Sequence, residues 1–116
     1  GFVVAAATGS RFVFTERHDG RMRLRRGQRV TTGERILLVE DVLTTGGSAQ
    51  EAAAVLTADG ANVAAFAAIV DRSTPAHPLP FAAASLLRLD PQTWDAGACP
   101  LCARGEALDQ PGSRGG

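Results

Sequence analysis

Arg35-Ile36-Leu37-Leu38-Val39, followed by Glu40-Asp41-Val42-Leu43-Thr44-Thr45-Gly46-Gly47-Ser48, is the stretch on which the reading of this chain turns. Its first five residues are apolar after Arg35 and do not alternate with polar ones, as in a parallel strand buried on both faces. Glu40 to Gly47 reads as a loop. Ser48 has Glu51 three residues on, a capping-box pattern, and predicts a helix from about Ala49 to Asp59 that Gly60 stops. Val63 to Val70 is a second buried strand. Strand, helix and strand at this spacing make a right-handed βαβ unit and an α/β fold. The loop then sits between the carboxyl end of a strand and the amino end of a helix, where open α/β sheets bind ligands.

Working outward, residues 2–8 read as the end of a buried helix closed by Gly9. Arg11 to Arg17 has the β-rich composition of a short strand. His18 to Arg29 is polar and Arg-dense, a loop or irregular hairpin, and Thr31-Thr32-Gly33 is a turn. On the other side, Asp71-Arg72-Ser73 falls where the second strand ends. Three prolines between Thr74 and Pro80 demand an extended or turned path. Leu86 to Leu89 is a candidate last strand, and the remainder from Asp90 is mostly loop. No internal repeat or low-complexity tract is visible.

The loop has the chemistry of a phosphate cradle. A helix amino terminus offers unpaired N–H groups and partial positive charge. Gly46 and Gly47 allow close backbone approach, and Thr44, Thr45 and Ser48 add hydroxyls. Glu40 and Asp41 would repel a bare phosphate. They fit a ligand that also carries vicinal hydroxyls and a hydrated Mg²⁺, which points to a sugar phosphate.

Composition narrows the classes. The chain has 116 residues, 45% of them hydrophobic, enough for one small domain with a core. Basic and acidic residues balance at 12 each, which gives no overall pull towards nucleic acid or anionic membranes. Every basic residue is Arg, so Walker A, Schiff-base and general-base lysines are excluded. Dinucleotide, nucleophile-elbow and HExxH motifs are absent, and His18 and His77 are the only histidines. Cys99 and Cys102 are too few for a disulfide scaffold and fit a reducing, cytoplasmic setting. The apolar opening is too short to span a bilayer, and the chain opens inside an apolar run without Met, which reads as a cut.

From Glu40 to Ser48 the sequence resembles the phosphoribosyl pyrophosphate (PRPP) signature of type I phosphoribosyltransferases. Three further features resemble the orotate-specific branch. These are Glu16-Arg17-His18-Asp19-Gly20 with Leu24-Arg25-Arg26-Gly27, then Asp71-Arg72, then the ending Cys99-Pro100-Leu101-Cys102 with Gly105 and Pro111-Gly112-Ser113-Arg114. The resemblance implies a type I phosphoribosyltransferase fold, a parallel sheet with flanking helices, with the amino-terminal pyrophosphate loop and hood missing. Residues 1–114 would form the partial domain and 115–116 a tail. It implies Mg²⁺-dependent transfer of phosphoribosyl from PRPP to orotate, in a homodimer, with no nucleic-acid or membrane partner.

Carried over residue by residue, Glu40 to Ser48 (with Val42 and Leu43) would bind PRPP. Glu40, Asp41 and Arg17 would be the catalytic residues, with Arg17 on the pyrophosphate. Thr44 and Arg72 would bind orotate, and Mg²⁺ would be held mainly through PRPP rather than by protein ligands. For the six arginines of residues 17–29 a solvated basic loop is the plain alternative, and for Asp71-Arg72 an exposed ion pair. Structural thiols are preferred for the cysteines over half a zinc site or a redox pair. A purine phosphoribosyltransferase, or a non-catalytic PRPP-sensing regulator of the same fold, remains the alternative.

Overall fold

The computed structural model describes residues 1–75 and 78–107. In chain order these form α1 (Phe2–Thr8), β1 (Thr15–His18), β2 (Arg21–Leu24), β3 (Arg35–Leu43), α2 (Gly47–Ala58), β4 (Asn62–Asp71), β5 (Ala82–Arg88), a 3₁₀ turn (Ala96–Ala98) and α3 (Pro100–Ala103). The strands β3, β4 and β5 make a parallel sheet in that order, and β1 and β2 make a separate antiparallel hairpin. The expected βαβ unit is β3-α2-β4, with α2 packed against β2, β3 and β4. Phe66, Ala68, Leu43 and Ala49 form the buried cluster, with Leu38, Leu79 and Phe81 packed on it. The buried residues of α2 are Ala49, Ala52 and Leu56, and the two alanines let the helix pack close to the sheet.

The structure moves several boundaries. β3 does not stop at Val39: its ladder with β4 continues through the pairs Glu40–Ala68, Val42–Val70 and Leu43–Asp71. The two acids therefore stand on a strand, not in a loop. β3 is also less enclosed than its sequence suggests, since Leu37 is 48% exposed. α2 starts at Gly47, with Gly46 as its N-cap and no side-chain capping bond. The capping box of Ser48 and Glu51 is not formed, because Ser48 already lies inside the helix and Glu51 pairs with Arg17. The last strand covers Ala82–Arg88 rather than beginning at Leu86.

Arg11 to Phe14 is not part of a strand. The Phe14 carbonyl accepts the Arg25 N–H at 3.0 Å, but the Phe14 N–H donates to Gln28 Oε1, and the Arg11 side chain donates to Glu34 and to the Arg29 carbonyl. The Arg-dense segment forms a regular hairpin whose two-residue turn, Asp19-Gly20, has both φ angles positive (50° and 74°), as the tight hairpin turn requires. Residues 2–8 are a helix closed by left-handed Gly9, but none of its residues is buried. Phe2, Phe12 and Phe14 stack in sequence, and Arg25 covers the Phe14 ring. His77 in the proline-rich stretch, and Pro111-Gly112-Ser113-Arg114 with the tail 115–116, lie outside the described residues.

Candidate functional site

Leu43 and Asp71 are register partners at the carboxyl ends of β3 and β4. The Arg72 N–H donates to the Leu43 carbonyl at 2.8 Å, so Thr44 and Arg72 leave the sheet side by side. Two residues that are 28 positions apart in sequence are thus brought to one edge by parallel pairing. The Arg72 side chain is exposed, and its guanidinium has no partner among the described residues.

Between Thr44 and α2 the chain turns through Gly46, whose φ is 75°. A Cβ there would stand 2.6 Å from Leu79 Cδ2. The left-handed conformation favours glycine at position 46, and any side chain there would also have to displace the end of Leu79. Gly47 differs, because a Cβ would meet nothing nearer than Thr45 Oγ1 at 3.6 Å. The two glycines looked equivalent in the sequence and are not. The first N–H groups of α2 have no acceptor within the helix. The Gly47 N–H makes a long 3.4 Å bond to Thr45 Oγ1, and no side chain caps the helix. Thr44, Thr45 and Gly47 are exposed and Ser48 is half-buried. Open N–H groups, nearby hydroxyls and the positive end of the helix dipole suit an anion.

Glu40 and Asp41 precede this loop on consecutive positions of β3, and both line the same cavity. Glu40 is half-buried, level with Ala68 of the core cluster. Burial, and then the charge of Asp41, push its carboxyl above the usual range. Asp41 is exposed and accepts the Val42 N–H at 2.8 Å. A cavity of about 470 Å³ along β3 ends at these two acids, with Phe12, Leu37 and Leu38 among its walls. Among the described residues no group of three metal-ligating side chains occurs. The acid pair can accept hydrogen bonds and complement a hydrated cation, but it does not form a protein-only metal cage.

The structure gives Arg17 a partner that the sequence did not foretell. Its Nη2 lies 2.6 Å from Glu51 Oε2 on α2, and its Nη1 donates to the Gly20 carbonyl at 3.1 Å. Arg17 therefore ties the hairpin to the helix that starts at the phosphate cradle. Sequence reasoning also missed Leu79, which closes over Gly46, and Arg88. Arg88 Nη1 donates to Asp71 Oδ2 at 3.1 Å and its Nη2 to the Ser73 carbonyl at 3.2 Å. Asp71 thus pairs with Arg88, not with Arg72. No local pattern flags Arg88, because only the β4–β5 register (Asp71–Arg88) brings it there. Cys99 and Cys102 are both free thiols, half-buried and exposed respectively.

Comparison with known proteins shows the family and the fold. The family model described as "Phosphoribosyl transferase domain" matches residues 6–102. An orotate phosphoribosyltransferase of Acidithiobacillus ferrooxidans is 50% identical over 94% of the chain and 56% of the relative. One from Thermotoga maritima is 45% identical over 98% of the chain and 61% of the relative. The chain thus spans somewhat over half the length of these relatives. The crystal structure of an orotate phosphoribosyltransferase from Aeropyrum pernix superposes with a TM-score of 0.59 at 21% identity, over 76% of the chain and 52% of that structure. That likeness supports the fold.

Proposed function

The chain belongs to the phosphoribosyl transferase domain family, and on that premise we propose that it carries the phosphoribosyl- and base-binding part of an orotate phosphoribosyltransferase. One observation carries the reading. A helix start with no side-chain cap and an arginine with no partner among the described residues share the sheet edge set by the Leu43–Asp71 register. The relatives named as orotate phosphoribosyltransferases support the choice of base.

In this reading the enzyme joins a ring nitrogen of orotate to the anomeric carbon of PRPP, while the bond from that carbon to pyrophosphate breaks. The N–H groups of Gly47 and Ser48, with the hydroxyls of Thr44, Thr45 and Ser48, hold the 5-phosphate. Glu40 and Asp41 accept hydrogen bonds from the ribose hydroxyls and lie near the ring as it becomes cationic. Thr44 and Arg72 take orotate, the guanidinium meeting its carboxylate with two parallel bonds. Glu40 and Asp41 would be outer partners of a Mg²⁺ bound mainly with PRPP, and the ion would offset pyrophosphate charge. Arg17 reaches the pyrophosphate only if it leaves Glu51, so its role requires the hairpin to shift. The enzyme works in the cytoplasm as a homodimer. Among the described residues no helix is long and apolar enough to cross a membrane.

The test is PRPP-dependent consumption of orotate by the intact protein, followed by orotate absorbance, with adenine and hypoxanthine as competing bases. Orotate consumption that Gly47→Val abolishes, with an unchanged circular dichroism spectrum, is the expected result. Use of a purine base in place of orotate, or unchanged PRPP affinity in the folded Gly47→Val variant, overturns the reading.

A further inference from the structure

Arg72 can recognise a planar anion only if its backbone is held still. The geometry points to Arg88 as the residue that does this: we propose that Arg88 is a positioning residue for the base end of the site, acting through the Asp71-Arg72-Ser73 turn. The inference rests on the reading of Arg72 given above.

The main chain is fixed on both sides of Arg72. Its own N–H donates to the Leu43 carbonyl at 2.8 Å, and the Leu89 N–H donates to the Asp71 carbonyl at 2.8 Å. The Ser73 N–H donates to Asp71 Oδ1 at 2.7 Å. Arg88 then closes the turn with one guanidinium: Nη1 to Asp71 Oδ2 at 3.1 Å, and Nη2 to the Ser73 carbonyl at 3.2 Å. Asp71 is consequently engaged through both oxygens. Its carboxyl is held below the usual range, first by the Ser73 hydrogen bonds and further by the Arg88 charge.

Two arginines therefore share this edge with different tasks. Arg88 spends its fork on a carboxylate and a backbone carbonyl at once, which the single ammonium of a lysine cannot copy. The Arg72 fork has no partner among the described residues. The Asp71 side chain is only 15% exposed while that of Arg88 is 63% exposed. An ion pair with so exposed an arginine adds little to global stability. Its loss should instead release the turn and let the Arg72 guanidinium wander from its aim. Misplacing a binding group by about an ångström is enough to lose affinity by one to two orders of magnitude.

The experiment measures steady-state KM for orotate and for PRPP, with thermal melting, on the intact protein and four variants. Arg88→Met should raise the orotate KM about tenfold, leave the PRPP KM within about twofold, and leave melting almost unchanged. Arg88→Lys, which can restore the Asp71 contact but not both, should fall between Arg88→Met and wild type. Arg88→Met combined with Arg72→Ala should be no worse for orotate than Arg72→Ala alone, because the two act on one contact. An unchanged orotate KM in Arg88→Met, or an equal rise in both KM values, overturns the proposal. Arg72→Ala alone separates the two levels. A normal orotate KM there removes the reading of Arg72 and this role with it. A raised one, with Arg88→Met normal, removes only the role of Arg88.

Discussion

Arg17 and Glu51 meet at 2.6 Å between Nη2 and Oε2, joining the β1–β2 hairpin to the first turns of α2. Both side chains are nearly half exposed, so the pair contributes at most about 1 kcal/mol to stability. Its larger effect is to anchor the hairpin, and that is what should change when it is removed. In Glu51→Ala, amide hydrogen exchange in Thr15–Leu24 should accelerate while the melting temperature barely moves. Unchanged exchange across the hairpin would show that the Phe12–Phe14 stacking and the ladder hold it without the ion pair.

The two adjacent glycines should respond in opposite ways. Gly46→Ala places a Cβ at φ 75° and 2.6 Å from Leu79 Cδ2, which should cost about 1–2 kcal/mol for the backbone alone. Gly47→Ala lies at the start of a helix with open space around it and should be neutral or stabilising by up to about 1 kcal/mol. Urea unfolding of both variants decides this, and equal destabilisation is the adverse result.

Glu40 should titrate above an ordinary glutamate, because burial and the neighbouring Asp41 charge both disfavour its ionised form. With its folded value raised, its contribution to stability is present below the unfolded value and is lost as pH rises through the folded one. Asp41→Asn removes the smaller cause, so the Glu40 midpoint should fall part of the way and remain elevated. Carboxyl-carbon NMR titration reads both points. A midpoint that does not respond to Asp41→Asn means the two groups are not coupled. In turnover assays Glu40→Gln and Asp41→Asn should each lower kcat more than they weaken PRPP binding, and full activity in both would leave the acids a structural role only.

Arg72→Ala should weaken orotate by roughly 2–4 kcal/mol, about 30- to 1000-fold, the size expected for losing a charge-assisted contact in a binding pocket. PRPP affinity should stay near normal, because the phosphate loop is untouched, and Arg72→Lys should recover little. Separate titrations with each substrate provide the check. Loss of PRPP affinity with orotate binding retained assigns Arg72 to the other substrate.

Cys99 and Cys102 should differ in reactivity. Backbone hydrogen bonding from Cys102 lowers the Cys99 thiol, whereas its hydrogen bond with Cys99 pushes Cys102 up. Thiolate is the reactive form, so iodoacetamide at neutral pH should modify Cys99 first although it is less exposed. Peptide mass mapping tests the order. Two thiols are half of a tetrahedral zinc site, so metal analysis should find no stoichiometric zinc.

The α/β class, the βαβ unit and the position of the loop between β3 and α2 were legible in the sequence because each has a local cause. Branched apolar runs mark β3 and β4, Gly9 and Gly60 mark helix ends, and Gly46-Gly47 marks the turn into α2. Local pattern could not say where β3 ends. Glu40 and Asp41 look like loop residues, yet pairing with Ala68, Val70 and Asp71 extends the strand to Leu43. The capping box failed for a similar reason. Ser48 and Glu51 have the right spacing, but the helix already starts at Gly47, and Glu51 is engaged by Arg17, 34 positions before it. Arg88 and Leu79 were invisible because their importance depends wholly on what the fold sets beside them.

Leu79 also gives the molecule a mechanical property. It belongs to the connection that begins with Arg72, and it rests against Gly46 of the phosphate loop. In the reading proposed above, the connection that carries Arg72 thus also touches the loop that would hold the phosphate. Were either ligand to move that contact, the binding of the two would be thermodynamically linked. Any factor by which the first alters the affinity of the second must return undiminished when the order is reversed.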